Sequence, residues 1–175
     1  MKNIKLIGIF LLLVTVSACG QTKNWNNLNG ANYTINYPSE WELNKSGLMG
    51  TKFIIFSPLS SKGDNFKENI NLIIQDLTAH NIDLNQYVKI SEKQIKTIIT
   101  EGKIISSTRL NKDGKEFQKV IYTGKQGIYD LQFEQYYWVE NNNAYILTFT
   151  CKAAEFSDYK NIGEKILNSF QMKKK

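Results

Sequence analysis

The chain carries one histidine, His80, and two cysteines, Cys19 and Cys151, so proton-transfer, nucleophilic and metal chemistry have few places to sit. His80 lies in Asp76-Leu77-Thr78-Ala79-His80-Asn81-Ile82-Asp83. If that stretch folded back, Asp76, His80 and Asp83 would offer the mixed oxygen and imidazole ligands that suit manganese or zinc. Read instead as a solvated connection, it places Asp83 as the cap of a following helix, and this is the reading adopted. A Ser/His/Asp hydrolase would need the same His80, and no GxSxG turn exposes a serine. Glu134, Glu140 and Asp130 could supply paired carboxylates for glycoside chemistry, but only a fold sets their separation. Asp113-Gly114 and Asp64-Asn65 are acidic turns without the dense alternating oxygens of a calcium loop. No phosphate-cradling or dinucleotide glycine pattern occurs. Cys151 follows the apolar run Ala144 to Thr150 and reads as a small buried residue, since a nucleophile needs a base and a depressed pKa. The expectation is a chain with no catalytic residue, no metal ligand and no cofactor.

The other thiol has a different context. Lys2 and Lys5 precede an uncharged stretch from Leu6 to Val16, which ends in Val16-Ser17-Ala18-Cys19. A basic start, a short apolar run and a small-residue exit are the parts of a secretory signal. An 11-residue run is too short to span a bilayer, which takes about 20 residues. An aliphatic residue three before a cysteine, with small residues between, resembles the bacterial lipobox. That resemblance implies a signal peptide over residues 1–18 and lipid attachment at Cys19. The polar, Asn-rich stretch that follows is expected to be a tether, over 19–30, with one domain over 31–175. Several acyl chains at about 0.8 kcal/mol per buried methylene would hold such a protein almost irreversibly. The expected address is a cell membrane, or the outer membrane in a cell with two, with the domain facing the periplasm or the exterior.

Removal of residues 1–18 would leave 20 basic and 16 acidic side chains, a mild +4 in place of +6. Arg109 is the only arginine and the lysines are dispersed, so a nucleic-acid partner is not expected. With Cys19 acylated, Cys151 has no thiol to pair with, and stability must come from a core. A chain this long buries about two-thirds of its unfolded surface, enough for one domain.

Periodicity supplies the elements that must position these residues. Tyr33 to Tyr37, Thr51 to Ser57 and Glu68 to Leu77 alternate as strands, the last with Ile70, Leu72 and Ile74 on one face and Asn71, Ile73 and Gln75 on the other. Leu84, Tyr87, Val88, Ser91, Ile95, Ile98 and Ile99 fall at helical spacing between an Asp83 cap and a Gly102 stop. Lys103 to Leu110 and Glu116 to Thr123 predict a hairpin across Asp113-Gly114, and Tyr129 to Glu140 and Ala144 to Lys152 a second across Asn141-Asn142-Asn143. A closing helix is predicted from about Ser157 to Met172. Hairpin connections make the sheet mainly antiparallel, and each helix needs an apolar face to cover. The result is an α+β fold with about six or seven strands flanked by two helices, an α/β/α or two-layer sandwich. Tyr122, Tyr129, Tyr136, Tyr137 and Trp138 crowd its second half, and at strand spacing they divide between the two faces.

With the elements placed, Tyr33 to Trp41 (YTINYPSEW), Asn65 to Leu72 (NFKENINL), the long first helix, Tyr145 to Thr150 (YILTFT) and Ile166 to Phe170 (ILNSF) together resemble the PsbP-like lipoproteins and exported domains of bacteria, of the Mog1/PsbP-like fold. The resemblance runs over residues 31–171. It implies that Pro38 and Trp41 pack the first strand against the sheet as fold residues. Relatives act by attaching to partners, photosystem II or a small GTPase, but the resemblance carries no partner-binding residue over to this sequence. The functional expectation is therefore a membrane-anchored, non-catalytic binding or assembly module for another envelope protein. The alternative is a metal or small-ligand carrier, with a hydrolase behind it.

Overall fold

The computed structural model describes residues 24–173. The expected signal peptide and Cys19 lie outside them. Ten strands and two helices follow in the order β1 Trp25–Asn29, β2 Tyr33–Pro38, β3 Glu42–Asn44, β4 Phe53–Phe56, β5 Asn69–Asp76, α1 Leu84–Thr97, β6 Thr100–Lys112, β7 Lys115–Gln126, β8 Tyr129–Glu140, β9 Asn143–Lys152, α2 Phe156–Ser169 and β10 Gln171–Met172. Seven strands form one sheet in the order β3-β4-β5-β9-β8-β7-β6, and β1-β2-β10 form a second, with every pair antiparallel.

The predicted strands and helices are all present, and the local signals account for them. Asp83 Oδ1 accepts from the Gln86 amide at 2.8 Å while the Gln86 side chain takes the Asp83 amide at 2.9 Å, a reciprocal capping box. Asp113 and Gly114 both have positive φ, 53° and 78°, as a two-residue hairpin turn requires. Asn141 and Asn142 do the same at 50° and 58°, so that Asn143 joins β9 instead of the turn. Asn tolerates this left-handed geometry because its short side chain bonds locally.

Four expectations need correction. Residues 19–30 are not all tether, because Trp25–Asn29 pairs along its whole length with β2. Three asparagines disguise that strand; its order comes from the β2 ladder and from Leu28, which is buried in the core. The domain thus begins at Trp25 and not at residue 31. Helix α1 stops at Thr97, short of Gly102, with Ile98 70% exposed beyond it. The closing helix ends at Ser169, and Gln171–Met172 turn back to pair with β2. Together β1, β2 and β10 make a second sheet that the alternation of longer segments does not reveal.

The seven-stranded sheet has two unlike faces. On one, Ile70 and Leu72 of β5, Phe117 of β7, Tyr136 and Trp138 of β8 and Leu147 and Phe149 of β9 meet α2 and the small sheet in one continuous core that also holds Tyr37 and Trp41. Gly163 lets α2 approach closely, since a Cβ there would stand 2.7 Å from the Phe149 ring. On the other face, Tyr87, Val88 and Ile95 of α1 pack against Val120, Tyr122, Tyr137 and Ile146. Helix α1 lies mainly over β6, β7 and β8 and reaches β5 and β9 only through Tyr87 and its neighbours, so much of the β4, β5 and β9 half of that face is left open.

Candidate functional site

The uncovered half is a groove of about 610 Å³. Its floor is built by strand alternation: Ile54 and Phe56 from β4, Asn69, Asn71 and Ile73 from β5, Ile146, Thr148 and Thr150 from β9, and Phe133 and Gln135 from β8. These are the residues whose neighbours along each strand point into the α2-side core. The rim comes from three loops. Leu48 and Met49, 53% and 79% exposed, stand on a tight turn in which Gly47, Met49 and Gly50 all have positive φ. The Phe66 and Tyr129 rings meet tilted at 54° with centroids 5.0 Å apart, and the Tyr129 hydroxyl donates to the Asn65 carbonyl at 3.1 Å. Gln126 and Gly127 close the third side. A second hollow of about 390 Å³ continues under the end of α1 and shares Ile73, Tyr122, Gln135 and Ile146 with the groove.

The polar groups of this surface are neutral and partly tied to each other. The Tyr137 hydroxyl donates to Gln135 Oε1, and Gln135 Nε2 donates to Thr148 Oγ1 at 3.0 Å. Tyr87 donates to Gln75 at 3.1 Å. Burial raises the pKa values of Tyr87, Tyr122 and Tyr137, the last also through the neighbouring tyrosines, so all three keep their protons at neutral pH. Tyr122 stacks on Phe133 at 4.6 Å. The one lysine on the rim, Lys67, is paired with Glu42 at 2.9 Å. Such a surface can bind through apolar contact and amide or hydroxyl hydrogen bonds; Tyr87, Tyr122 and Tyr137 offer no base at neutral pH.

The sequence candidates are placed elsewhere and apart. His80 is exposed in the connection to α1, where Asp76 accepts from the Thr78 amide and hydroxyl and Asp83 caps the helix. No cluster of three metal-ligating side chains occurs among the described residues. Asp130, Glu134 and Glu140 lie along one strand, where four and six residues correspond to about 14 and 20 Å, beyond the spacing of a glycosidase pair. Glu134 has no exposure and faces α2; its Oε1 lies 2.7 Å from Lys119 Nζ, which also holds Glu164 at 2.8 Å. Burial works against the charge of Lys119, but the hydrogen bonds and charges of the two carboxylates outweigh it and raise its pKa. Cys151 is fully buried beside Glu68 Oε1 at 3.8 Å, and burial first, then that carboxylate, pushes its pKa up, so the thiol is not activated. Tyr122, Tyr136, Tyr137 and Trp138 are core residues; of the crowded aromatics Tyr129 stands on the groove rim and Tyr122 also lines the groove. The groove itself is foreshadowed only by amides and hydroxyls on one side of the inner strands β5 and β9.

No family model and no curated protein sequence matches the chain. Solved structures do. The solution structure of CyanoP, the cyanobacterial PsbP of Synechocystis, superposes with a TM-score of 0.64 at 14% identity, over 90% of this chain and 99% of that one. A Pseudomonas aeruginosa protein of unknown function, described as a putative regulator, gives 0.63 at 13%, over 86% and 99%. LpqN of Mycobacterium tuberculosis, involved in cell envelope biogenesis, gives 0.62 at 10%, over 86% and 91%. Identities this low speak for the fold alone, and they do so across nearly the whole of each partner. Among the described residues no helix is long and apolar enough to cross a membrane. Two helices, a mostly antiparallel seven-stranded sheet and a smaller second sheet, matched end to end by these structures, make this a PsbP-like fold.

Proposed function

We propose that this is a non-catalytic binding module of the cell envelope, anchored through a lipidated Cys19, that receives another envelope protein on the uncovered half of its large sheet. The observation that carries the reading is the groove beside α1, an accessible sheet face of neutral amides, hydroxyls and apolar side chains rimmed by the exposed Leu48 and Met49. Concave surfaces of this composition suit binding, and Leu48 and Met49 extend the apolar part of this one at its rim. The likeness to a protein of envelope biogenesis and to a PsbP supports an extracytoplasmic setting. An anchor concentrates the module near its neighbours, so a modest interface would be occupied.

A photoreactive amino acid placed at Asn71 or Met49 in the native membrane tests this. The expected result is a reproducible protein adduct from both positions and none from Ser107 on the edge strand β6. Adducts absent from the groove positions, with a stoichiometric metal or small molecule in the purified protein, would favour a carrier. Separately, Cys19→Ala should abolish incorporation of labelled fatty acid.

A further inference from the structure

Strand β1 moves the start of the folded domain to Trp25 and so shortens the chain that separates it from Cys19. From Cys19 to Asn24 is five residues, and at about 3.6 Å each their greatest reach is about 18 Å. A tether running on to residue 31 would reach about 43 Å by the same measure. A domain of this size has a radius of gyration of about 15 Å and is about 38 Å across. The tether is shorter than the domain is wide.

Its point of entry is well defined. The Asn24 carbonyl accepts from the Ser39 amide at 2.9 Å, and Trp25 lies opposite Pro38. Trp25 packs against the core on the α2 side, and Lys165 of α2 places Nζ 4.7 Å from the Trp25 ring centroid. Lys160 and Lys165 are exposed on α2 against one exposed acid, Asp158, while Glu164 is held by Lys119. A half-buried tryptophan with lysine beside it suits the headgroup layer, where an amphipathic ring and a cation near anionic lipid are both favoured.

Resting on the reading that Cys19 carries the lipid, we propose that the Trp25–Lys165 patch lies against the anionic headgroups of the anchoring bilayer, and that the groove thereby faces away from it. The groove is on the far face of the seven-stranded sheet, about two layers from the small sheet at about 10 Å a layer. Seating the Trp25–Lys165 patch on the headgroups turns that far face, and the groove with it, away from the bilayer. The module's partner is then met in the compartment above the membrane, not within the leaflet.

The test uses the mature protein, its acylation verified by intact mass, in vesicles of phosphatidylethanolamine and phosphatidylglycerol. Cys151 is buried and Cys19 is consumed by the lipid, so single cysteines from Asn26→Cys and Met49→Cys can each carry a dye whose quenching by headgroup-labelled lipid is measured. The dye at position 26 should be quenched several-fold more than that at 49. A twelve-residue Gly–Ser insertion after Gln21, adding about 20 Å of r.m.s. reach, should bring the two toward equality. Trp25→Gln with Lys165→Gln should lower the ratio, and an unchanged ratio would remove the patch from the proposal. Equal quenching in acylated protein without the insertion overturns the orientation and leaves the anchor standing. Protein without acyl mass overturns both.

Discussion

Along β5 the two faces of the large sheet can be compared residue by residue: Ile70 and Leu72 are fully buried under the α2 side, while Asn69, Asn71 and Ile73 between them stay half-open toward the groove. The backbone is common to both, so the difference lies in what covers each face. One face is closed by α2 and the small sheet, the other only in part by α1. A closed face can hold Phe149, Leu147 and even Glu134 with no exposure, and its energy is packing energy. An open face keeps amides and hydroxyls that water or a partner can satisfy, and contributes little to stability.

The sharpest way to break this contrast is Phe149→Ala. The ring is fully buried, 5.7 Å from Phe156, and fills the space that Gly163 leaves under α2. The expected loss is about 4 kcal/mol, read from urea unfolding. Next is Lys119→Met, which strips the counter-charge from the unexposed Glu134 and should cost about 3 kcal/mol. Adding Glu134→Leu should restore most of it, so that a double-mutant cycle shows strong coupling. The raised pKa of Lys119 adds a sign: its contribution is complete below the ordinary lysine value of 10.5 and is lost as pH rises through the higher folded value. Alkaline destabilisation should therefore weaken in the double variant.

On the open side the effects shrink. Asp83→Ala removes the reciprocal cap of α1 and should cost about 1 kcal/mol by thermal unfolding. Asp64 clamps the connection between β4 and β5 by accepting from Lys152, from the Ser60 amide and hydroxyl and from the Phe66 amide. These partners, Lys152 foremost, hold its pKa below the ordinary 3.8, so the clamp is intact above that value and is lost as pH falls through the lower folded one. Amide exchange over residues 58–66, taken relative to the intrinsic rate at each pH, should stay constant from neutrality down to about pH 4 and rise only below it. Asp64→Asn should raise it at neutral pH. Smallest is Asn71→Ala on the groove floor, within about 0.5 kcal/mol of the wild type in unfolding, yet reducing capture of a partner crosslinked through Met49. A large stability loss there would mean the groove is core.

Local chemistry was legible wherever one short segment carries the whole instruction. Asp83 and Gln86 cap α1 from three residues apart, Asp113-Gly114 turn a hairpin, and the alternation through Ile70, Leu72 and Ile74 marks a buried face. The short strands were not legible: β1, β3 and β10 have five, three and two residues, and are ordered by β2 and β4 rather than by their own polar side chains. The helix end at Thr97 was hidden for the opposite reason, because Ile98 and Ile99 continue the apolar spacing past the point where the backbone leaves the helix.

The sequence by itself determined the class of the fold, the type and order of its long elements, and the caps and turns between them. Each depends on periodicity or on bonds that close within a few residues. Only the tertiary structure decided that Trp25 begins the domain, that Glu134 is buried against Lys119 and Glu164, and that the amide side of β5 is left open as a groove. Those features depend on where a fourteen-residue helix comes to rest across a sheet of seven strands. That placement is settled by packing among segments scores of residues apart, which no local pattern records.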